Sequence, residues 1–134
     1  MPRVTAIITT FNRRQFLPAA IQSVLAQTFP HFELLILDNG STDGTADIVR
    51  GFRDPRIRYI HHQPMTIGAQ RNLGVAEAQG EFIAFLDDDD EWMPGKLAAQ
   101  ISGFMHRPNI ALVYGGFFRI DATGRIFASH TPTL

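Results

Sequence analysis

The sequence predicts an α/β fold: a mainly parallel, Rossmann-like sheet with helices on both faces. Three observations predict it. Short apolar runs rich in strand formers recur along the chain, segments with a helical apolar period separate them, and several runs end in clusters of polar turn formers. Strand–helix alternation of this kind implies right-handed βαβ units and a sheet covered on both faces. A chain of 134 residues is long enough for one domain with a core of its own.

The elements follow in order. Val4–Thr9 is apolar and β-branched, a first strand that breaks at Thr10-Phe11-Asn12-Arg13-Arg14. Pro18 suits a first helical turn, and Ala19, Ala20, Ile21, Val24 and Leu25 carry a helical period to about Gln27. Pro30 closes that segment, and Phe32–Leu37 is a second strand running into the turn-rich Asp38–Thr45. Ala46, Val49 and Phe52 mark a short helix, Arg53-Asp54-Pro55 a turn, and Ile57–Ile60 a third strand. After a loop at 61–68, Ala69–Gln79 reads as a helix stopped by Gly80.

The stretch that organises the chain is Glu81–Pro94, EFIAFLDDDDEWMP. Phe82–Leu86 is apolar on both faces, the pattern of a strand in the middle of a parallel sheet. Asp87–Asp90 follow it directly, and four adjacent carboxylates need water or a cation to neutralise them. Beyond it, Lys96–His106 is expected to be a helix, Pro108-Asn109 a turn and Ile110–Tyr114 a fifth strand. Phe117–Ile120, a turn at 121–124 and Ile126–Ala128 read as a hairpin or an added edge strand, and the tail from His130 carries no signal.

Composition narrows the functional classes. Hydrophobic residues at 45% and charged residues at 19% fit a soluble globular domain, and a net charge of −1 argues against nucleic acid as a partner. There is no cysteine, hence no disulfide framework, thiolate metal site or cysteine nucleophile. No run approaches the roughly 18 apolar residues of a transmembrane segment, and no signal-peptide pattern opens the chain, so a cytoplasmic location, or one peripheral to a membrane, is expected.

In parallel α/β sheets, ligands collect at the carboxyl ends of the strands. Those ends are Thr9–Asn12, Asp38–Ser41, His61-His62 and Asp87–Asp90, and they should converge on one edge. Carboxylates there suit a hard divalent cation such as Mg²⁺ or Mn²⁺, which prefers oxygen ligands and shares its shell with water and phosphate. No GxGxxG follows the first strand and no GxxxxGK[ST] is present, which removes dinucleotide Rossmann and P-loop sites. A phosphoacceptor receiver domain would need a lysine after its fifth strand, and Lys96, the only lysine, directly follows the acidic run.

ITTFNR, FELLILDNGSTDGT and GAQRNLGVAEAQGEFIAFLDDDDEWMPGKL, in that order and spacing, resemble family 2 glycosyltransferases of the GT-A fold over about the first 120 residues. The resemblance implies metal-dependent transfer of a sugar from a nucleotide-diphosphate sugar to an acceptor hydroxyl, with inversion. It places Asp87 and Asp89 at the DxD positions, with Asp89 as the first choice of metal ligand, Asp87 beside it, and Asp88 toward the ribose or a metal-bound water. Thr9 and Phe11 fall where the nucleobase is held and stacked, Asn12 adjoins them, and Arg71 matches a basic side chain near the base or diphosphate. Asp38 and Asn39 correspond to an acidic pair beside base and ribose.

Two departures stand out. The second acid of that pair is Asn39, which leaves UDP-, GDP- and dTDP-sugars all open as donors. Family members continue well past this length, and their later half supplies the acceptor pocket and a general base. The chain is therefore expected to be a single nucleotide-sugar-binding domain over 1–134, truncated before the acceptor half. Alternatives are a nucleotidyltransferase, and a non-catalytic nucleotide- and metal-binding module or homo-oligomer that self-associates through Phe117, Phe118 and Phe127.

Overall fold

The computed structural model describes residues 1–107 and 109–132. They form two compact units, Met1–Ala98 and Ala99–Leu134. The first holds a four-stranded parallel sheet built from β1 (Val4–Thr10), β2 (Phe32–Asp38), β3 (Ile57–His61) and β4 (Phe82–Asp87) in the order β3-β2-β1-β4. The crossovers are α1 (Leu17–Leu25), α2 (Thr45–Gly51) and α3 (Ile67–Glu77). This is the α/β class that the strand–helix alternation implies.

The core sits around β1 and β2, buried along their whole length. Period-two alternation sends Ile7, Leu35 and Leu37 to one face, where Ile60, Leu73 and Ile83 pack against them. The helix on this face is α3, and it comes close because Gly74 has no side chain. A Cβ there would lie 2.9 Å from Ile7 Cγ2 and 3.0 Å from Leu37 Cδ1. Ala6, Ile8, Leu34 and Ile36 fill the opposite face and are fully buried, as are Leu17, Ile21 and Val24 of α1. Pro18 lies in the first turn of α1, where its missing N–H costs nothing. Hydrogen bonds tie α1 to the 92–97 segment: Ser23 Oγ accepts from Trp92 N at 3.0 Å, and Gln27 accepts from Leu97 N at 3.0 Å while donating to Met93 O at 2.8 Å.

Two expectations fail. The strand carrying the aspartates is not central. β4 lies at the sheet's edge, paired only with β1, and Phe85 is 46% exposed. The strands buried on both faces are β1 and β2, whose runs are no more apolar. A continuous apolar run reports strand-forming side chains, not the number of strands beside it. The fifth strand expected at Ile110–Tyr114 is also absent, since 110–116 holds no regular structure. Part of the turn expected at Pro108-Asn109, and the last two residues of the tail, fall outside the described residues.

The second unit begins within α4 (Lys96–His106) and carries an antiparallel hairpin, β5 (Phe117–Ile120) with β6 (Ile126–His130), irregular between Arg119 and Ile120. The strand extends beyond the expected Ala128 to His130, whose ring stacks on Phe117 at 5.2 Å.

Candidate active site

In the sheet order, β2 lies on one side of β1 and β4 on the other, so the chain reverses its direction of winding between β1 and β4. Such a switch point leaves a crevice at the carboxyl ends of its strands, because the flanking crossovers lie on opposite faces. A cavity of about 460 Å³ occupies this place. It is lined by Thr9, Thr10 and Phe11 from the end of β1, by Arg13 and Asn39, by Ile67, Gln70 and Arg71 from the start of α3, and by Asp87, Asp88 and Asp89 from the end of β4.

Three parts of this lining have distinct chemistry. Phe11 is 52% exposed, so it presents an aromatic face to the cavity instead of filling the core. Thr9 is buried beside it. The acidic run forms the second part, and each carboxylate has its own partner. Asp87 pairs with Arg71 at 3.1 Å, Asp88 accepts from Thr10 Oγ1 at 2.8 Å, and Asp89 pairs with Arg13 at 2.5 Å. Arg13 also stands 3.7 Å from Asp88. The third part is the first turn of α3, where Thr66 caps the helix by accepting from Ala69 N at 3.3 Å.

Asp88 differs from its neighbours in being buried. Burial pushes its pKa up, and the charges of Asp89 and Asp87 add to the effect against the opposing influence of Thr10 and Arg13. Asp90, though exposed at the surface, is also pushed up, by partial desolvation and then by the charges of Asp89 and Asp87. The Arg13 guanidinium is raised, chiefly by its hydrogen bond to Asp89 and then by the charge of Asp88.

Among the described residues, no three carboxylate or imidazole groups converge on one metal position. The donor set nevertheless fits Mg²⁺ or Mn²⁺. These hard cations take oxygen ligands, and Mg²⁺ sits in nucleotide sites on one or two carboxylates with phosphate oxygens and water completing the shell. Asp87 and Asp89 are exposed and held only by ion pairs, so their oxygens are available for such sharing.

The structure sorts the residues predicted from sequence into two groups. Thr9, Phe11, Asn39, Arg71, Asp87, Asp88 and Asp89 line the cavity together. Asn12 and Asp38 do not. Asn12 is in the left-handed region at φ 51°, its side chain accepts from Thr42 N at 2.8 Å and its backbone donates to Ser41 Oγ at 2.8 Å, which pins two loops together. Asp38 is fully buried, with one oxygen accepting from Ser41 N at 2.8 Å and the other from the Tyr59 hydroxyl. Burial and that hydrogen bond push the Tyr59 pKa up. Neither His61 nor His62 is in the lining; His62 makes 2.8 Å and 3.2 Å contacts with Gln63 O and Gln70 Nε2. Arg13, Ile67 and Gln70 line it without having been predicted, and Thr10 does so as part of the expected strand end Thr9–Asn12. Arg13 had a signal, since a cation beside the end of one strand is a natural partner for acids at the end of its neighbour.

The fold and site define a parallel α/β domain of the GT-A type, with a polar, acid-lined crevice at the β1/β4 switch point. Comparisons with known proteins agree. The model of the family described as Glycosyl transferase family 2 matches residues 5–132, and the chain belongs to that family. It is 40% identical over 115 residues to the Escherichia coli UDP-Glc:alpha-D-GlcNAc-diphosphoundecaprenol beta-1,3-glucosyltransferase WfgD, covering 85% of this chain and 45% of that protein. An uncharacterized glycosyltransferase of Rickettsia felis is 38% identical over 128 residues, 95% of this chain and 21% of the relative. Among solved structures, TarS 1-349 of S. aureus in complex with UDP-GlcNAc superposes with a TM-score of 0.75 at 26% identity, covering 81% of this chain and 32% of that one. The chain thus spans less than half the length of the relatives it matches. Among the described residues, no helix is long and apolar enough to cross a membrane.

Proposed function

We propose that this chain is the donor-binding part of a glycosyltransferase, and that the β1/β4 crevice takes a nucleotide-diphosphate sugar together with Mg²⁺ or Mn²⁺. The observation that carries this reading is that Asp87–Asp89 and an exposed aromatic, Phe11, line one polar cavity at the sheet's switch point. The relatives support it, since one is named for transfer from UDP-Glc and a structural neighbour was solved with UDP-GlcNAc.

Each group has a task in this reading. Phe11 offers a stacking face to the base, and base–aromatic stacking contributes roughly 1–3 kcal/mol per base. Thr9 supports the base beside it. Asp88, hydrogen-bonded to Thr10 and buried, is held rigidly enough to orient a ribose hydroxyl or a metal-bound water. Arg71 and Arg13 supply positive charge to the diphosphate once their pairings with Asp87 and Asp89 are exchanged. Asp89 and Asp87 would hold the cation. Held there, a divalent cation would supply positive charge for the departing diphosphate. Asn12 and Asp38 serve the site indirectly by bracing the loops around it.

The whole enzyme, in this proposal, inverts the anomeric carbon in a single displacement. A general base takes the proton of the attacking acceptor hydroxyl. Among the described residues, no acid other than Asp87–Asp89 lines the cavity, so that base is assigned to none of them. We extend the same reading to the domain organisation: residues 1–134 act as one nucleotide-sugar-binding module.

The test is a thermal-shift panel of UDP, GDP, dTDP and CDP, each with Mn²⁺, Mg²⁺ or a chelator. A ligand that binds only the folded state adds RT ln(1 + [L]/Kd), about 2.7 kcal/mol at 100 times Kd. One nucleotide raising the midpoint only with metal, and losing that rise in Asp89→Ala, is the expected outcome. A flat response to all four from a folded protein would sink the proposal.

A further inference from the structure

Asn39 lies at the cavity wall, yet its carboxamide is already engaged. Oδ1 accepts from Met65 N at 2.8 Å and Nδ2 donates to Met65 O at 3.1 Å. The side chain thus pairs with one residue's backbone as a neighbouring strand would, and only one orientation of the amide satisfies both bonds. Further contacts fasten the same two segments. His62 N donates to Asp38 O at 3.0 Å, while Asn39 N ties this turn to the end of β1 by donating to Thr10 O at 2.9 Å. Gly40, at φ 86°, would bring a Cβ within 3.3 Å of the Pro64 side chain and 3.5 Å of His62 O, so the 62–64 backbone lies directly against this turn. Next after Met65 comes Thr66, the cap of α3, whose first turn carries Ile67, Gln70 and Arg71 into the cavity.

We propose that Asn39 is a positioning residue: its carboxamide latches the 62–66 loop to the end of β2 and so sets the first turn of α3 at the crevice, instead of reading the nucleobase. The chemistry requires an amide. A carboxylate at 39 still accepts from Met65 N, but its second oxygen then faces the Met65 carbonyl, acceptor against acceptor. An aspartate at this position would be free to turn toward a ligand, and the asparagine is not. The consequence for binding rests on the nucleotide reading above; the latch itself does not.

The experiment follows the two levels separately. In the ligand-free full chain, hydrogen exchange at the Met65 amide is compared between wild type and Asn39→Ala. The latch predicts that protection falls by about tenfold, the order of one lost hydrogen bond. Protection that stays at the wild-type level overturns the proposal. Thermal shifts with UDP, GDP, dTDP and CDP are then measured for the same Asn39→Ala variant, which opens the latch and offers the ligand no new polar group. A positioning role weakens every nucleotide that wild type binds by a similar factor, because Arg71 and Gln70 serve them all. A changed order of preference among the four overturns it, since that is the mark of direct base contact. If wild type binds none of the four, the nucleotide reading fails and the exchange result alone decides the latch.

Discussion

The two edges of the parallel sheet use the same residue types for opposite ends. At the amino edge, Glu33 of β2 accepts from Thr5 Oγ1 at 2.6 Å, Gln79 N at 2.7 Å and Arg58 at 3.1 Å. Arg58 goes on to Glu77, and Thr5 Oγ1 accepts from Gly80 N at 2.9 Å. Four segments are closed into one network, and Glu33 is 5% exposed. At the carboxyl edge, Asp87 and Asp89 also face arginines, but those pairs are open to water and each carboxylate has a single arginine to hold it. A charge pair backed by several donors and removed from solvent is costly to break, whereas exposed pairs contribute little and exchange partners readily. The first arrangement is a clamp, and the second leaves its charges available to a ligand.

The clamp is where substitutions should cost most. Glu33→Ala strands the Thr5 hydroxyl, the Gln79 amide and part of Arg58 without an acceptor. A loss of about 3 kcal/mol is expected, the lower end for breaking a buried pair because Arg58 keeps Glu77. Chemical denaturation gives the value, and a loss no larger than that of an exposed acid would break the contrast. Gly80→Ala comes next. Its Cβ would lie 2.5 Å from Thr5 N and 2.6 Å from Val4 C, against backbone that cannot turn aside. Overpacking of this kind costs about 1–3 kcal/mol.

Acid should read the two edges with opposite signs. Burial works against the Glu33 carboxylate, yet the bonds from Thr5, Gln79 and Arg58 outweigh it and hold its pKa below the ordinary value of 4.5. Its contribution is therefore complete above the unfolded-state pKa and is lost as pH falls through the lower, folded-state one. Asp88 is raised, so protonating it relieves the folded protein over the first part of the same descent. Stability followed from pH 7 to pH 3 should drop more gently in Glu33→Gln than in wild type. A parallel profile would mean that the clamp carries no proton linkage.

Much of this division was legible in the sequence. The carboxyl ends of the strands were identified as the ligand edge, and Asp87–Asp89, Thr9, Phe11 and Arg71 do meet there. Acids directly after an apolar run announce themselves, because nothing in a core tolerates them unpaired. The amino-edge clamp was invisible, since Thr5 and Glu33 sit within apolar strands and Arg58 within an ordinary one, and only the register of three strands brings them together. The same limit explains Asp38. Its place at a strand's end suggested a ligand contact, and in the structure its carboxylate accepts from Tyr59 on β3, a partner across the sheet that no local pattern reveals. β4 was misplaced for a related reason, as a run of side chains does not state its neighbours.

Within the carboxyl edge, Asp88 should separate stability from function. It is buried and pressed by two like charges, so Asp88→Asn removes a strained charge while the amide oxygen still accepts from Thr10. We expect the unfolding free energy to hold or rise, by an amount on the order of 0.5–1 kcal/mol, while the metal-dependent nucleotide shift shrinks. A clear loss of stability would place Asp88 with the clamp instead.

Arg13→Gln should disturb the fold least of all. Arg13 is exposed and its pairing with Asp89 is open to solvent, where an ion pair contributes little. The unfolding midpoint should therefore barely move, which by itself would show only that the pair is weak. The informative change is in the cation response. With the guanidinium gone, Asp89 and Asp88 lose their internal counter-charge, and a divalent cation no longer has to displace it. The Mn²⁺ concentration needed to raise the midpoint should fall in Arg13→Gln when metal is added alone. It should not fall in Arg58→Gln, where the neutralised arginine belongs to the closed network at the other edge. An equal response in both variants would mean that the cation senses net charge and not Asp89, and the distinction between clamp and exchangeable pair would lose its functional half.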